Sequence, residues 1–479
     1  MKSRQLIFIF LFLCLNAYSK IKLSPLFSEN MVLQQNTEVK LWGEALVGAK
    51  LTVKTTWNNC EYKTIVGKDG KWNLKVKTSK AGGPYKIIIS DGEPLILNNI
   101  LLGEVWFCSG QSNMEMPLRG FDRQPLNGGN DVIAKSKPTT PIRFFVTDSK
   151  DGKWIRQYNK KPQIICQGEW IVNSSEYVGN VSAVSYFFAE YIQDVLEVPV
   201  GIIISTLGGS KIEPWMSREA FQSFNDVDLS FLDSDENLKD ISSSPCVLYN
   251  AKIAPFIDFP IRGFLWYQGE SNRDNANIYS KLMSAFVKDL RLKWNIDDLP
   301  FYFVEIAPFN YEGADKTSAA RLREAQLQSM KEIPNSGLVS LSDIDNPVFI
   351  HPVDKYTVGK RLAWWALAKT YGKRGFGCAS PIYTSSEVVE NKIYINVLNA
   401  ENGLCPMWTS LKGFEIAGED RVFYEAFAEI ETKSCRLAVS SPKVPHPVAV
   451  RYCYKNYSVS TVYNTYGLPL FPFRTDKWN

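Results

Sequence analysis

Histidine is scarce in this chain: 479 residues hold two, His351 and His446. A zinc site built on imidazoles therefore has almost no ligands to draw on, and no CxxC pair or His-rich cluster offers an alternative at familiar spacing. Long runs of one charge are also lacking. Lys and Arg total 54 against 50 Asp and Glu, a formal net charge of +4, so no basic stripe awaits a phosphate backbone and nucleic acid is not an expected partner. Beyond the N-terminus no apolar run approaches the roughly 20 residues that span a bilayer, so no membrane span is expected.

The apolar stretch that does exist lies at the start. Lys2 and Arg4 precede an unbroken run from Leu6 to Leu15, closed by Ala17-Tyr18-Ser19. This has the form of a signal peptide over residues 1–19, and it predicts export to a periplasm, a lumen or the medium. Eight of the nine cysteines follow it; an oxidising compartment would permit disulfides among them, and the spacing selects no pairing.

What remains is ordinary globular composition, 45% apolar and 22% charged, enough for a core shared between a main domain of roughly 250 residues and smaller modules. From Ile21 to about Leu97, short alternating segments such as Trp72-Asn73-Leu74-Lys75-Val76 predict a small β-sandwich over residues 20–97. The pattern then changes to apolar strands alternating with amphipathic helices, which predicts a parallel sheet covered on both faces over residues 98–378. Expected strands are Leu102 to Cys108, Val200 to Ser205, Ile261 to Tyr267, Pro300 to Ile306 and Gly337 to Leu341. Expected helices are Ser182 to Leu196, Tyr279 to Trp294, Ser318 to Ile333 and Thr357 to Tyr371. Residues 379–479 return to short strands and form a β-rich module.

In an open α/β sheet, ligands gather at the carboxyl ends of strands. Three such ends carry chemistry. Gly110-Gln111-Ser112-Asn113-Met114 places a seryl hydroxyl on a turn directly after a strand, without the second glycine of GxSxG. Leu207-Gly208-Gly209-Ser210 allows close backbone approach to a substrate and offers an N–H donor, and Trp266-Tyr267-Gln268-Gly269-Glu270 ends in a side-chain amide. Together they supply what acyl transfer requires: one nucleophile, and oxyanion donors from Ser112, Gly208, Gly209 and Gln268. The base must be one of two histidines. His446 lies between Pro445 and Pro447, where a structural turn accounts for it; His351 opens onto a helix and is the candidate base.

The blocks around Ser112, Trp266 to Asn272 and Ile350-His351-Pro352 resemble those of the sialate O-acetylesterases within the SGNH hydrolase superfamily. Asn30-Met31-Val32-Leu33-Gln34 and Leu41-Trp42-Gly43 near the start are similar to the same family, as are Tyr466-Gly467-Leu468-Pro469 and Pro472-Phe473-Arg474 near the end. The resemblance implies a flavodoxin-like three-layer α/β/α domain, an acetylated glycan as substrate and no metal or organic cofactor. It also implies an acyl-enzyme on Ser112 with His351 as base, and Gln268 standing where many relatives carry Asn. One departure stands out. The acid that many such enzymes carry two or three residues before the histidine is replaced by Phe349 and Val348, so Asp343, Asp345 and Asp354 remain candidates to orient the imidazole, as does a backbone carbonyl. Trp215 could stack on a sugar ring and Arg323 could meet a sugar carboxylate. A polysaccharide acetylesterase of the same superfamily and a non-catalytic glycan-binding protein are the competing expectations.

Overall fold

The computed structural model describes residues 21–478 apart from 151–152, 236, 239, 345 and 407–409 and the segment 432–435. The expected signal peptide lies outside the described residues, as do Asp345 and Cys435.

The centre of the molecule is one long strand, β1 (Pro94–Gly110). Its first half pairs with Gly82–Ser90 and, through Val32 to Gln34, with the N-terminal strands; its second half enters a different sheet. The boundary expected at residue 97 thus falls inside a continuous strand. In that N-terminal region Lys71–Lys77 alternates strictly, with Trp72, Leu74 and Val76 buried and the four lysyl and asparaginyl positions between them exposed.

The strands that follow are β2 (Ile142–Val146), β3 (Glu169–Val172), β4 (Val200–Thr206), β5 (Gly263–Tyr267), β6 (Phe301–Val304) and β7 (Ser336–Val339). With β1 they form the order β3-β2-β4-β1-β5-β6-β7, parallel except for the edge strand β3, which runs antiparallel to β2. Helices that lead from this sheet or pack on it include α1 (Ser112–Glu115), α2 (Ala183–Leu196), α3 (Ala276–Trp294), α4 (Ser318–Glu332) and α5 (Lys355–Trp365).

Strand periodicity sorts the core into two layers. Val105 and Phe107 of β1, Phe264 and Trp266 of β5 and Phe301 of β6 face one side, where Leu282, Phe286 and Leu290 of α3 and Leu322 of α4 cover them. Trp106 and Cys108, Leu265 and Tyr302 face the other, under Val184 and Phe188 of α2 and Val358 and Leu362 of α5. On the first side, Phe107, Phe264 and Phe301 stack in sequence across three strands, with centroids 4.9 and 5.5 Å apart. The result is a three-layer α/β/α domain with added β modules. The strand β2 and the edge strand β3 escape the sequence pattern because they are only five and four residues long and each includes a charged residue, Arg143 or Glu169, beside its apolar ones.

The C-terminal residues form two four-stranded antiparallel sheets and a two-stranded one around a separate cluster that includes Ile395, Ile416, Leu437, Val450 and Tyr452. A connecting segment ties them to the central domain: the Ser460 N–H donates to the Ser342 carbonyl at 2.7 Å and the Asn456 N–H to that of Lys316 at 2.6 Å. Among the described residues, seven cysteines are free, and no helix is long and apolar enough to cross a membrane.

Candidate active site

β1 lies between β4 and β5, where the order of strands reverses, and its carboxyl end opens into the crevice such a reversal creates. Gly110 ends the strand at φ 144°, and a Cβ there would stand 2.1 Å from the Tyr267 carbonyl oxygen of β5, so no larger residue fits. The next residue locks the turn: the Gln111 N–H donates to that same carbonyl at 3.0 Å, and the Gln111 side-chain oxygen accepts the Gly269 N–H at 3.1 Å. Ser112 then begins α1, with its hydroxyl at the rim.

His351 reaches it from the loop ahead of α5. Nε2 lies 2.8 Å from Ser112 Oγ, across 239 positions of chain. Nδ1 lies 2.7 Å from Oε1 of Gln124, and the ring edge packs on Phe121 with centroids 5.1 Å apart. A carbonyl acceptor at Nδ1 places the proton there and leaves a lone pair on Nε2 facing the serine, the tautomer a general base requires. Burial, followed by the charge of Lys355, pushes the imidazole down from 6.5 to about 4. His351 is therefore neutral at any ordinary working pH.

The partner of Nδ1 is a side-chain amide, and the candidate carboxylates are engaged elsewhere. Asp354 caps α5, accepting the Thr357 N–H at 3.0 Å and the Thr357 hydroxyl at 2.7 Å; the unpaired donors of a helix N-terminus have claimed it. Asp343 forms a two-pronged pair with Arg361 at 2.8 and 2.6 Å. Asp345 lies outside the described residues. Nothing in the sequence marks Gln124, which sits in a loop with no periodicity and no motif.

The expected oxyanion donors separate into two groups. Among the described residues, neither the Ser112 N–H nor the Gly209 N–H has a hydrogen-bond partner, and Gly209 holds φ 73° with open space beside it. Gly208 packs close, a Cβ there lying 3.4 Å from that of Ser112, but its N–H donates to the Glu115 carboxylate at 2.6 Å. Gln268 is fully buried. Its amide nitrogen donates to the Ser210 carbonyl at 3.0 Å and to Asn272 Oδ1 at 2.8 Å, and its oxygen accepts the Tyr279 hydroxyl. Both amide hydrogens are consumed, so Gln268 braces the strand ends and has no donor left for a substrate.

The two expected substrate contacts also lie inside the protein. Trp215 is wholly buried, donates to Ser210 Oγ at 2.9 Å and meets Trp266 edge-on; its apolar area went to the core. Arg323 is 2% exposed and donates to the Lys455 carbonyl, joining α4 to the C-terminal segment. Two further residues follow the serine closely, the buried Asn113 and the half-buried Glu115, and both are hydrogen-bonding groups whose proximity to Ser112 could have flagged them. No group of three or more His, Cys, Asp or Glu among the described residues is arranged to hold a metal ion.

Known proteins resemble this chain in sequence and in fold. The model of the family described as "Carbohydrate esterase, sialic acid-specific acetylesterase" matches residues 102–367, more than half the chain. Relatives include the sialate O-acetylesterase of Mus musculus, 25% identical over 92% of both chains, and that of Homo sapiens, 26% identical over 77% of this chain and 75% of the other. Among solved structures, a carbohydrate acetylesterase from Xanthomonas citri superimposes with a TM-score of 0.86 at 30% identity, covering 96% of this chain and all of that one. This chain belongs to the sialic acid-specific acetylesterase family of carbohydrate esterases, and it is an esterase of acetylated sugars.

Proposed function

We propose that the protein removes O-acetyl groups from sialic acid by a serine acyl-enzyme mechanism run by Ser112 and His351. The observation that carries this reading is the 2.8 Å approach of His351 Nε2 to Ser112 Oγ, with Nδ1 held from behind by Gln124. The Ser112 oxygen attacks the acetyl carbonyl as Nε2 takes its proton, and the carbonyl becomes an oxyanion facing the N–H groups of Ser112 and Gly209. Collapse expels the sugar oxygen, which takes the proton back from the imidazolium, and acetate remains esterified to Ser112. Water then gives a proton to His351 and attacks the acetyl carbon; collapse passes that proton to the departing Ser112 oxygen and releases acetic acid, which ionises to acetate, so serine and base are both restored. Gln124 orients the ring in both halves without adding charge. The leader read from the sequence supports action outside the cytoplasm.

The test is hydrolysis of a chromogenic acetate ester by the wild type and Ser112→Ala. Equal rates would remove the reading; loss of at least ~1,000-fold is expected. A neutral acetylated polysaccharide is the second reading, favoured by the burial of Arg323, the cation expected to meet a sialic acid carboxylate. Parallel rates on O-acetylated sialic acid and acetylated xylan decide between them, and a strong preference for xylan would overturn the sialate assignment.

A further inference from the structure

Behind the serine and histidine lies a buried polar cluster that the acyl-transfer steps leave unused. Asn113, next in sequence to the nucleophile and 1% exposed, is its hub. Its amide nitrogen donates to Glu270 Oε1 at 2.5 Å and to the Ile350 carbonyl at 3.2 Å, and its oxygen accepts a hydrogen bond from the Lys355 ammonium. The residues it joins sit at three corners of the site. Glu270 follows the β5 end that anchors the Ser112 turn, Ile350 adjoins His351, and Lys355 starts α5. Lys355 is 0% exposed and also stands over the Tyr267 ring, 5.3 Å from its centroid.

A buried ammonium is costly unless it is paired or does something. Replacing it with an apolar residue would fill the same space, so the charge calls for a reason. We propose that Lys355 is a positioning residue for the esterase: through Asn113 it clamps the turn bearing Ser112 to the loop bearing His351, and its ammonium sets the charge environment of the base. This inference rests on the Ser112–His351 reading.

The charges around the imidazole support it. Asp122 and Arg123, from the loop that carries Gln124, are more than nine-tenths exposed and pair with each other at 3.9 Å. Glu115 on α1 is turned to Gly208, Asp354 is spent on its cap, and Asp343 is paired with Arg361. Lys355 is the buried charge that acts on the ring, and like charge disfavours the imidazolium. Lys355 itself faces Glu270, Asp354, Asn113 and Tyr267; burial brings it down to about 7 while the two carboxylates oppose that shift. Burial also pushes Glu270 up. As pH falls toward the point where His351 would take a proton, Lys355 is fully charged while Glu270 is losing its compensating charge. The repulsion is then at its greatest, which keeps the base unprotonated well into acid.

The experiment separates clamp from charge. Lys355→Gln keeps a donor for Asn113 and removes the ammonium; Lys355→Met removes both; Asn113→Ala breaks the clamp and leaves the ammonium. We expect kcat on a chromogenic acetate to fall ~10- to 100-fold in the Met and Ala variants with KM little changed, and to recover partly in the Gln variant. The acid limb of kcat/KM moves up by about one pH unit in both Lys355 variants and stays in place in Asn113→Ala. Because the chain has two histidines, the imidazole titration can also be followed directly by nitrogen NMR, and a purely structural lysine would leave it unmoved. Folded Lys355 variants with the wild-type acid limb and titration would overturn the proposal. So would a wild-type acid limb near the ordinary imidazole value, whatever the stability of the variants. Either failure leaves the esterase reading intact so long as the wild type hydrolyses the ester and Ser112→Ala does not.

Discussion

A glutamine where a carboxylate is customary invites replacement by one. Gln124 Oε1 sits 2.7 Å from Nδ1 of His351, and Gln124→Glu puts a charged oxygen at nearly the same reach with no change in side-chain length. A hydrogen bond to a charged group contributes about 1.5–3 kcal/mol, against about 1 for a neutral pair. The difference favours the imidazolium by about 0.5–2 kcal/mol, and one pH unit corresponds to about 1.4 kcal/mol. His351 is only partly buried, so solvent trims the gain, and we expect a rise of about one unit from the present value of about 4. The acid limb of kcat/KM for acetate ester hydrolysis, measured from pH 3 to 8, should move up by that amount. Because the substituted enzyme has a stronger base, its rate at pH 7 should rise severalfold. Gln124→Ala should do the opposite, lowering kcat ~10-fold or more as the ring loses its tether. An unmoved acid limb in folded Gln124→Glu, together with wild-type turnover in Gln124→Ala, would refute the claim that this amide orients the base.

Other outcomes follow from the same geometry. Gln268→Ala should cost about 2 kcal/mol in chemical denaturation, since it takes the side-chain donor from the buried Ser210 carbonyl and leaves Asn272 Oδ1 with the Ile212 N–H and the Tyr279 hydroxyl with the residue 268 carbonyl, while the folded enzyme keeps kcat within ~10-fold; an oxyanion donor would show the reverse, a loss of ~100-fold or more with stability intact. Gly110→Ala should fail to fold or lose at least about 1–3 kcal/mol from backbone strain alone, with the clash against the Tyr267 carbonyl added, read as a lowered Tm. The depressed imidazole also links stability to pH: between 6.5 and about 4 the unfolded chain binds a proton that folded His351 does not, so stability falls as pH falls through that window. His351→Asn should flatten the dependence of the denaturation midpoint across those values, and an unchanged slope would contradict it.

Much of the architecture is legible from local pattern. Lys71–Lys77 alternates so cleanly that its buried face can be read directly, and α3 and α4 end within a residue of where their apolar spacing stops. The sequence expectation for the helix after His351 starts at Thr357, whereas α5 begins at Lys355, because Asp354 caps it and Lys355 is drawn inward to Asn113. Trp215 and Arg323 show the limit of composition: a ring or a guanidinium near a motif is equally suited to a pocket or a core, and burial decides which.

Local chemistry thus fixes five of the seven strands of the central sheet and the four long helices that cover it, the seryl turn required by Gly110, and a histidine shortage that leaves few choices of base. These depend on periodicity, backbone sterics and counting, all of which are local. Which group stands behind the imidazole, which N–H groups remain free and what the buried charges are paired with were decided only by tertiary structure. Gln124 meets His351 across 227 positions and Lys355 meets Asn113 across 242, and loop closure over such spans leaves no imprint on the neighbouring residues, because hydrogen-bonding partners are chosen by proximity in the folded state.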